Sequence, residues 1–163
     1  MSPDELVAKH RGSGVLVDTN LLVLLAIGMY RRTRISNFNR TRQYTQEDFD
    51  LLVRLIDLFR KRVVTPHIFA EADNLTRQLP RAEHRAVAAV MAKIVAESFE
   101  LYCPSNEAVA HKYYSTLGLT DCTIVAASQN ALVITDDVRL SSILPSLCRD
   151  AININHIRTL NWS

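Results

Sequence analysis

Short apolar runs alternate with segments of helical periodicity along most of this chain of 163 residues. The apolar runs have the length of buried strands, and a segment long enough for a helix separates each run from the next. Strands that are joined through helices pair in parallel, and the helices then cover both faces of the sheet. The alternation therefore predicts an α/β protein, a three-layer α/β/α sandwich with a central, mostly parallel sheet of about five strands.

The boundaries of these elements follow from the apolar pattern and from residues that start or stop helices. Thr45 and Thr120 are expected to cap helices, and Gly28 is expected to end one. Thr65 and Pro66 are expected to mark the start of another helix, with the proline at its first position. The predicted strands are 14–18, 63–64, 99–102, 131–135 and 151–154. After a short helix or arm in 1–13, the predicted helices are 19–28, 46–60, 66–79, 81–96, 104–116, 120–130 and 136–144.

Cysteine usage and hydropathy indicate a cytoplasmic protein. The three cysteines, Cys103, Cys122 and Cys148, are widely spaced and odd in number, which argues against a disulfide framework or a zinc ribbon and for a reducing compartment. The apolar run 21–27 is too short to span a bilayer, and no basic segment with a cleavage site precedes it. We therefore expect no signal peptide and no membrane association.

Four acidic residues follow apolar runs or stand near predicted helix starts. They are Asp18, Glu71, Asp121 and Asp137. Taken singly, each has a simple structural role, because Asp18 and Asp137 can cap the helices that follow them and Asp121 can stabilise a first helical turn. Glu71 lies at the border of a predicted apolar stripe, so it is expected to be partly buried.

Taken together, the same four acids predict a metal site. The carboxyl ends of parallel strands meet along one edge of a sheet, and acids gathered there repel each other unless cations neutralise them. Carboxylates without a histidine or cysteine partner suit Mg²⁺ or Mn²⁺, and such ions support phosphodiester hydrolysis. The chain has no glycine-rich dinucleotide loop, no P-loop and no serine-nucleophile motif.

A basic segment lies between the first and second predicted strands. Tyr30, Phe38 and Tyr44 punctuate it, and twelve consecutive residues without an acid carry five arginines: Arg31, Arg32, Arg34, Arg40 and Arg42. Arginine binds phosphate in bidentate geometry and stacks on bases, so the segment is a candidate RNA contact. A solvated loop that carries charge for solubility explains the composition equally well.

Four blocks of the sequence, taken in order, resemble the PIN-domain nucleases, the family named after the PilT N-terminus that includes the VapC-type ribonuclease toxins. The similarity extends from about residue 14 to residue 155. Its blocks are VLVDTN (15–20), TPHIFAE (65–71), LTDCTIVAA (119–127) and LVITDD (132–137). The interval between the first two blocks is longer than in the small toxins of this family, and the surplus is the Arg-rich segment.

The resemblance implies one PIN-like nuclease domain over 1–163, with an Arg-rich insert at about 29–45. It implies an endoribonuclease that uses one or two Mg²⁺ or Mn²⁺ ions and leaves 5′-phosphate and 3′-hydroxyl ends. The implied partners are RNA, a small antitoxin protein and a second copy of the chain. The residues that match the family's four acids are Asp18, Glu71, Asp121 and Asp137, with Asp136 as a further ligand. In support, Thr135 is expected to position the loop that carries Asp137, and Asn20 is expected to brace Asp18 by hydrogen bonding.

Two alternatives stay open at this stage. The first is a non-catalytic RNA-binding or scaffold module on the same fold, although such a module gains nothing from acids near phosphates. The second is a phosphoryl-transfer domain with Asp18 as the nucleophile. One family that uses this chemistry has a second aspartate where this chain has Asn20. Another family requires a late lysine, and this chain has no lysine after Lys112.

Overall fold

A computed structural model, which describes residues 1–160, arranges five strands in one all-parallel sheet with helices on its faces. The predicted three-layer α/β/α sandwich is therefore confirmed, and only residues 161–163 of the predicted domain 1–163 lie outside the described residues. The order of the strands is β3-β2-β1-β4-β5. The strands are β1 (Val15–Val17), β2 (Arg62–Val64), β3 (Phe99–Glu100), β4 (Leu132–Thr135) and β5 (Ala151–Asn153).

The helices of the described residues follow the predicted order, with two short 3-10 helices at Arg32–Asn37 and Ser128–Asn130. Those before β3 are α1 (Pro3–His10), α2 (Thr19–Tyr30), α3 (Gln46–Ile56), α4 (Pro66–Thr76) and α5 (Arg81–Ala96). Those after β3 are α6 (Ser105–Val109), α7 (Tyr114–Leu117), α8 (Leu119–Ala127), α9 (Val138–Ser146) and α10 (Ile154–Leu160).

Side-chain caps set the starts of the central helices as the sequence predicts. The Thr45 hydroxyl accepts a hydrogen bond from the Asp48 N–H, and the Asp48 carboxylate accepts one from the Thr45 N–H, which completes a capping box for α3. The Thr65 hydroxyl accepts from the Ile68 N–H, and Pro66 stands at the first position of α4. Each capped helix follows or precedes a buried strand, so the caps help to fix where the chain leaves the sheet.

Several predicted boundaries are wrong. The predicted helices 46–60 and 66–79 end earlier, at Ile56 and Thr76, the predicted strand 99–102 covers only Phe99–Glu100, and α10 has no counterpart in the prediction. Gly28 does not end α2, because the helix continues to Tyr30 and the Phe49 ring packs against the bare α-carbon of Gly28. The predicted helix 104–116 is two short helices, α6 and α7, that are separated by a turn. Thr120 does not cap α8, because Gly118, with a φ of 84°, precedes a helix that already begins at Leu119.

The core lies between the sheet and its helices. Leu16 of β1 and Ile134 of β4 are fully buried at the centre of the sheet, and Leu24 of α2 and Ile68 of α4 are buried with them. Burial of each such side chain contributes roughly 1.5–3 kcal/mol to folding. The two central strands are therefore the most firmly packed part of the sheet, and residues at their carboxyl ends are held on a rigid base.

Candidate active site

The two central strands flank the point at which the order of the sheet reverses. After β1 the chain adds β2 and β3 on one side, and it later adds β4 and β5 on the other. Such a point leaves a crevice outside the carboxyl ends of the strands, where α/β proteins bind ligands. Val17 of β1 pairs with Ile134 of β4, and the Asp18 N–H donates to the Ile134 carbonyl at 3.2 Å. The segments after β1 and β4 therefore lie side by side at this crevice.

Asp18 is a buried carboxylate, only 5% exposed, and it caps α2. Its Oδ1 accepts a hydrogen bond from the Leu21 N–H at 2.9 Å. Its Oδ2 accepts from the Thr135 hydroxyl and from the Asp136 N–H, the latter at 3.1 Å. Burial and the nearby Asp136 charge outweigh these hydrogen bonds, so the pKa of Asp18 rises from 3.8 to about 7. The folded chain thus holds a carboxylate that is costly to ionise.

Asp136 lies beside Asp18 and is half-buried. Its Oδ2 accepts a hydrogen bond from the Tyr44 hydroxyl, and its Oδ1 accepts a long one, 3.5 Å, from the Asn20 amide. The resemblance implied that Asn20 braces Asp18, but the hydrogen bond that its side chain makes is to Asp136. Burial and the Asp136 charge raise the pKa of Tyr44, so this hydroxyl stays protonated and acts as the hydrogen-bond donor to Asp136. Asp136 is therefore held by two neutral donors.

Thr135 links Asp18 to Asp137, which stands two residues after Thr135. The Thr135 hydroxyl donates to Asp18 and accepts from the Asp137 N–H at 2.9 Å. Asp137 is exposed, and its Oδ1 caps α9 by accepting from the N–H groups of Arg139 and Leu140 at 2.6 and 3.0 Å. The capping roles that explain Asp18 and Asp137 singly are thus both present, and the Thr135 hydroxyl connects these two loops of the chain.

Asp121 lies in the first turn of α8, where it is partly buried. Its pKa rises from 3.8 to about 6, first because of burial, then because of the charge of Asp137, and then because of the charge of Glu71. Asp137 and Glu71 therefore lie within electrostatic reach of Asp121, and both repel its charge. A hydrogen bond of 3.1 Å between the hydroxyls of Thr65 and Thr123 joins α8 to the start of α4, which carries Glu71.

Glu71 is exposed, so the prediction that it is partly buried is wrong. The buried positions of α4 are Ile68, Ala72 and Thr76, which repeat every four residues. Glu71 is one residue out of step with this stripe and faces solvent at its border. An exposed carboxylate on this helix can still act on Asp121 through its charge.

The five acids carry no cation from the protein. None of Asp18, Glu71, Asp121, Asp136 and Asp137 has an ion pair within residues 1–160, where the ion pairs involve other acids. Two of the five have raised pKa values because neighbouring carboxylates add to the effect of burial. Negative charge is therefore concentrated at the crevice without compensation.

The acids suit a hard divalent cation in their chemistry, although they do not form a closed cage. The charge of Asp136 acts on Asp18, and the charges of Asp137 and Glu71 act on Asp121. Thr135 hydrogen-bonds to both Asp18 and Asp137. Over residues 1–160 no three His, Cys, Asp or Glu side chains are grouped closely enough to hold a metal ion. The donors are all carboxylate oxygens, which Mg²⁺ and Mn²⁺ prefer, and Mg²⁺ commonly binds one or two carboxylates and several waters.

The Arg-rich segment is ordered, and its arginines differ in their partners. Arg32 pairs with Asp50 at 2.5 Å, and Arg34 pairs with Glu83 at 2.8 Å. Three arginines have no carboxylate partner in the described part of the chain: Arg31 lies over the Tyr30 ring, Arg40 donates to Gln78, and Arg42 is exposed. Within this segment, Ile35, Phe38 and Tyr44 are buried, so the segment is not a solvated loop.

Tyr44 is the residue at this crevice that the sequence does not predict. It contacts Asp136, 92 positions further along the chain, and no local pattern reports a contact over such a distance. The only signal in the sequence is an aromatic residue at the end of a basic segment. That signal does not distinguish a contact with the acidic site from a contact with RNA. The contact becomes visible only when the fold is known.

Comparisons of the chain with models of protein families, with curated proteins and with solved structures found no match.

Among residues 1–160, no helix has the length and apolar character that crossing a membrane requires.

Proposed function

We propose that this protein is a metal-dependent endoribonuclease that hydrolyses RNA phosphodiester bonds with Mg²⁺ or Mn²⁺, as the resemblance to PIN-domain nucleases implies. One observation carries the proposal. The Asp136 N–H donates to the carboxylate of Asp18 at the ends of the two central strands, and the charge of Asp136 acts on Asp18 without a cation from the described part of the protein. Such an arrangement costs stability in the free protein, and a bound divalent cation would offset that cost.

In this proposal the acids hold the metal and the surrounding residues hold the acids. A bound divalent ion would lower the pKa of an attacking water and stabilise the leaving oxygen. Thr135 and the N–H of Leu21 fix the orientation of Asp18, and the expected products carry 5′-phosphate and 3′-hydroxyl ends. The proposed ligands, with Asp136 as a further one, are Asp18, Glu71, Asp121 and Asp137.

The Arg-rich segment is the proposed contact for RNA phosphates. Arg42 is exposed and stands two residues before Tyr44, so the backbone brings it close to the acidic edge. Arg31 and Arg40 are also without a carboxylate partner in residues 1–160. Arg32 and Arg34 would have to leave Asp50 and Glu83 to bind a phosphate, so we expect their contribution to be smaller.

The proposed setting is the cytoplasm, because the three cysteines are free and two of them are buried. The resemblance to VapC-type toxins extends the proposal to a toxin–antitoxin pair, with a small antitoxin protein and a second copy of the chain as partners. The ordered Arg-rich segment distinguishes this chain from the small toxins, so we expect its partner contacts to differ from theirs.

A non-catalytic RNA-binding or scaffold module is the second candidate, and two observations favour it. The described residues have no closed group of metal ligands, and Asp18 and Asp137 already serve as helix caps. Such a module would bind RNA equally well with and without a divalent ion. Measurement of RNA affinity in Mg²⁺ and in a chelator therefore separates the two candidates.

The direct test is cleavage of labelled RNA by the purified protein in Mg²⁺, in Mn²⁺ and in a chelator. Asp121→Asn is the most informative variant, because the Asp121 side chain makes no hydrogen bond or ion pair with residues 1–160, and we therefore expect the variant to fold. Asp4→Asn is the matched control, since Asp4 also stands in a first helical turn but lies in α1. We expect cleavage that requires metal and that Asp121→Asn alone abolishes. Equal cleavage by both variants would contradict the proposal.

A further inference from the structure

Hydrogen bonds within the Arg-rich segment fix its conformation, and its buried side chains attach it to the body of the protein. The buried Thr41 hydroxyl donates to the Ile35 carbonyl at 2.8 Å, and the Tyr44 N–H donates to the Thr41 carbonyl at 2.9 Å. Ile35 and Phe38 are buried in the main core. The backbone of Tyr44 is therefore held in place before its side chain makes any contact with the acidic edge.

The Tyr44 side chain is buried, 3% exposed, and its hydroxyl reaches Oδ2 of Asp136. The main chain of Asp136 is held separately, because its N–H donates to Oδ2 of Asp18. The Asp136 carbonyl also accepts from the Asn155 amide at 3.2 Å, so the backbone is held apart from the carboxylate, whose short contact is with the tyrosine. Without the tyrosine, repulsion from the Asp18 charge would favour a side-chain conformation that turns away.

A tyrosine hydroxyl orients a carboxylate without neutralising it. An arginine or lysine in the same place would cancel the charge that a metal ion needs, whereas a neutral donor leaves the carboxylate anionic. Hydrogen bonds of this kind to ligating carboxylates fix their direction, and their loss typically lowers metal affinity or activity by about 10–100-fold. The Asn20 amide, at 3.5 Å from Oδ1, makes a weaker contact of the same type.

We propose that Tyr44 is a positioning residue that holds the carboxylate of Asp136 beside that of Asp18, so that both can ligate the same divalent cation. This inference rests on the proposed function, and it gives the Arg-rich segment a role in building the metal site. The segment then contributes a side chain to the site as well as cationic side chains to its rim. A chain without this segment would need another donor for Asp136.

Titration of the metal-free protein with Mn²⁺, followed by electron paramagnetic resonance of the free ion, tests the inference without any RNA. Tyr44→Phe removes the hydroxyl and keeps the ring, and we expect Mn²⁺ affinity to fall about 10-fold or more. Tyr30→Phe is the matched control, because the Tyr30 hydroxyl makes no hydrogen bond with residues 1–160, and we expect wild-type affinity. Asn20→Ala should weaken binding less than Tyr44→Phe.

A double variant distinguishes positioning from a general effect on packing. In an Asp136→Asn background, Tyr44→Phe should have no further effect on Mn²⁺ affinity, because the carboxylate that it orients is gone. Equal Mn²⁺ affinity of Tyr44→Phe and wild type would overturn the inference and leave the proposed function standing. A weakening that persists in the Asp136→Asn background would also overturn it. Failure of the wild-type protein to bind Mn²⁺ would overturn both.

Discussion

Thr135, the last residue of β4, donates its hydroxyl hydrogen to the carboxylate of Asp18, the residue that follows β1. The same hydroxyl accepts from the Asp137 N–H, so its donor and acceptor capacities are both used. Thr135 is fully buried, and water therefore cannot replace it. One side chain thus couples the two central strands at the point where the acids gather.

Replacement of Thr135 by valine should lower both stability and metal affinity. Valine has nearly the same shape, but it removes one of the two hydrogen bonds to the buried Oδ2 of Asp18 and leaves the Asp137 N–H without a partner. Loss of such bonds costs about 1–3 kcal/mol. Urea denaturation of Thr135→Val and Thr135→Ser measures the effect, and the serine variant should keep most of the wild-type stability. Equal free energies of unfolding for wild type and Thr135→Val would show that the hydroxyl does not couple the strands.

Stability of the metal-free protein should fall as pH rises from about 4 to about 7. The pKa of Asp18 is about 7 and that of Asp121 is about 6 in the folded chain, against 3.8 for both when unfolded. Between these values the folded chain keeps protons that the unfolded chain has released, so each pH unit favours unfolding by at most about 1.4 kcal/mol per proton. The loss is complete above the folded pKa values.

Urea denaturation between pH 4.5 and pH 8, in a chelator, measures this slope. Asp121→Asn should make the slope shallower because it removes one of the two groups, and Asp4→Asn should leave it unchanged. Asp150 acts in the opposite direction, since hydrogen bonds from His10 and Lys9 lower its pKa and its contribution is lost only in more acidic solution. Stability that rises steadily from pH 5 to pH 7 would show that Asp18 and Asp121 do not ionise as described.

Cys148→Gly should stabilise the protein by roughly 0.5–1 kcal/mol. Cys148 has a φ of 56°, the left-handed conformation that disfavours residues with a β-carbon. It follows α9 in a motif that favours glycine here, with the Cys148 N–H bonded to the Pro145 carbonyl and the Arg149 N–H bonded to the Leu144 carbonyl. Cys148→Ala removes the thiol but keeps the β-carbon, so it should give no such gain in thermal unfolding. Equal stabilisation by both variants would point to the thiol instead.

Gly28→Ala should destabilise the protein although alanine is the better helix former. A β-carbon at this position would lie 2.2 Å from the nearest carbon of the Phe49 ring, so the ring must move. Overpacking costs roughly 1–3 kcal/mol, whereas the gain in helix propensity is about 1 kcal/mol. Gly12→Ala is the control, because nothing lies within 4 Å of its position. A rise in the denaturation midpoint of Gly28→Ala would refute the close packing of α2 on α3.

Local chemistry explains which parts of the fold can be predicted from the sequence. The apolar runs that end at Val17 and Thr135, and the caps at Thr45 and Thr65, are signals within a few residues, and each marks an observed boundary. Gly28 has a strong local signal for ending a helix, but a contact with Phe49 from another helix decides its role. Tertiary packing overrides local preference at such positions.

The candidate site divides in the same way. The sequence predicts that Asp18 and Asp137 lie at the same edge of the sheet, because the carboxyl ends of parallel strands meet there. The observed register of β1 and β4 places both residues at that edge. The exposure of Glu71 depends on the rotation of α4 against its neighbours, and a shift of one residue reverses it. The contact between Tyr44 and Asp136 depends on the path of a segment that has no sequence period, so only the folded chain reveals it.

Binding of Mn²⁺ by the purified, metal-free protein tests the central claim most directly, because that claim is that the acids at the carboxyl edge hold a divalent cation. Isothermal titration of wild type, Asp121→Asn and Asp4→Asn at pH 7.5 gives the affinity of each. We predict that wild type and Asp4→Asn bind Mn²⁺ equally and that Asp121→Asn binds at least about 10-fold more weakly. Wild-type protein that binds no Mn²⁺, or an Asp121→Asn variant that binds it as tightly as wild type, would contradict the claim.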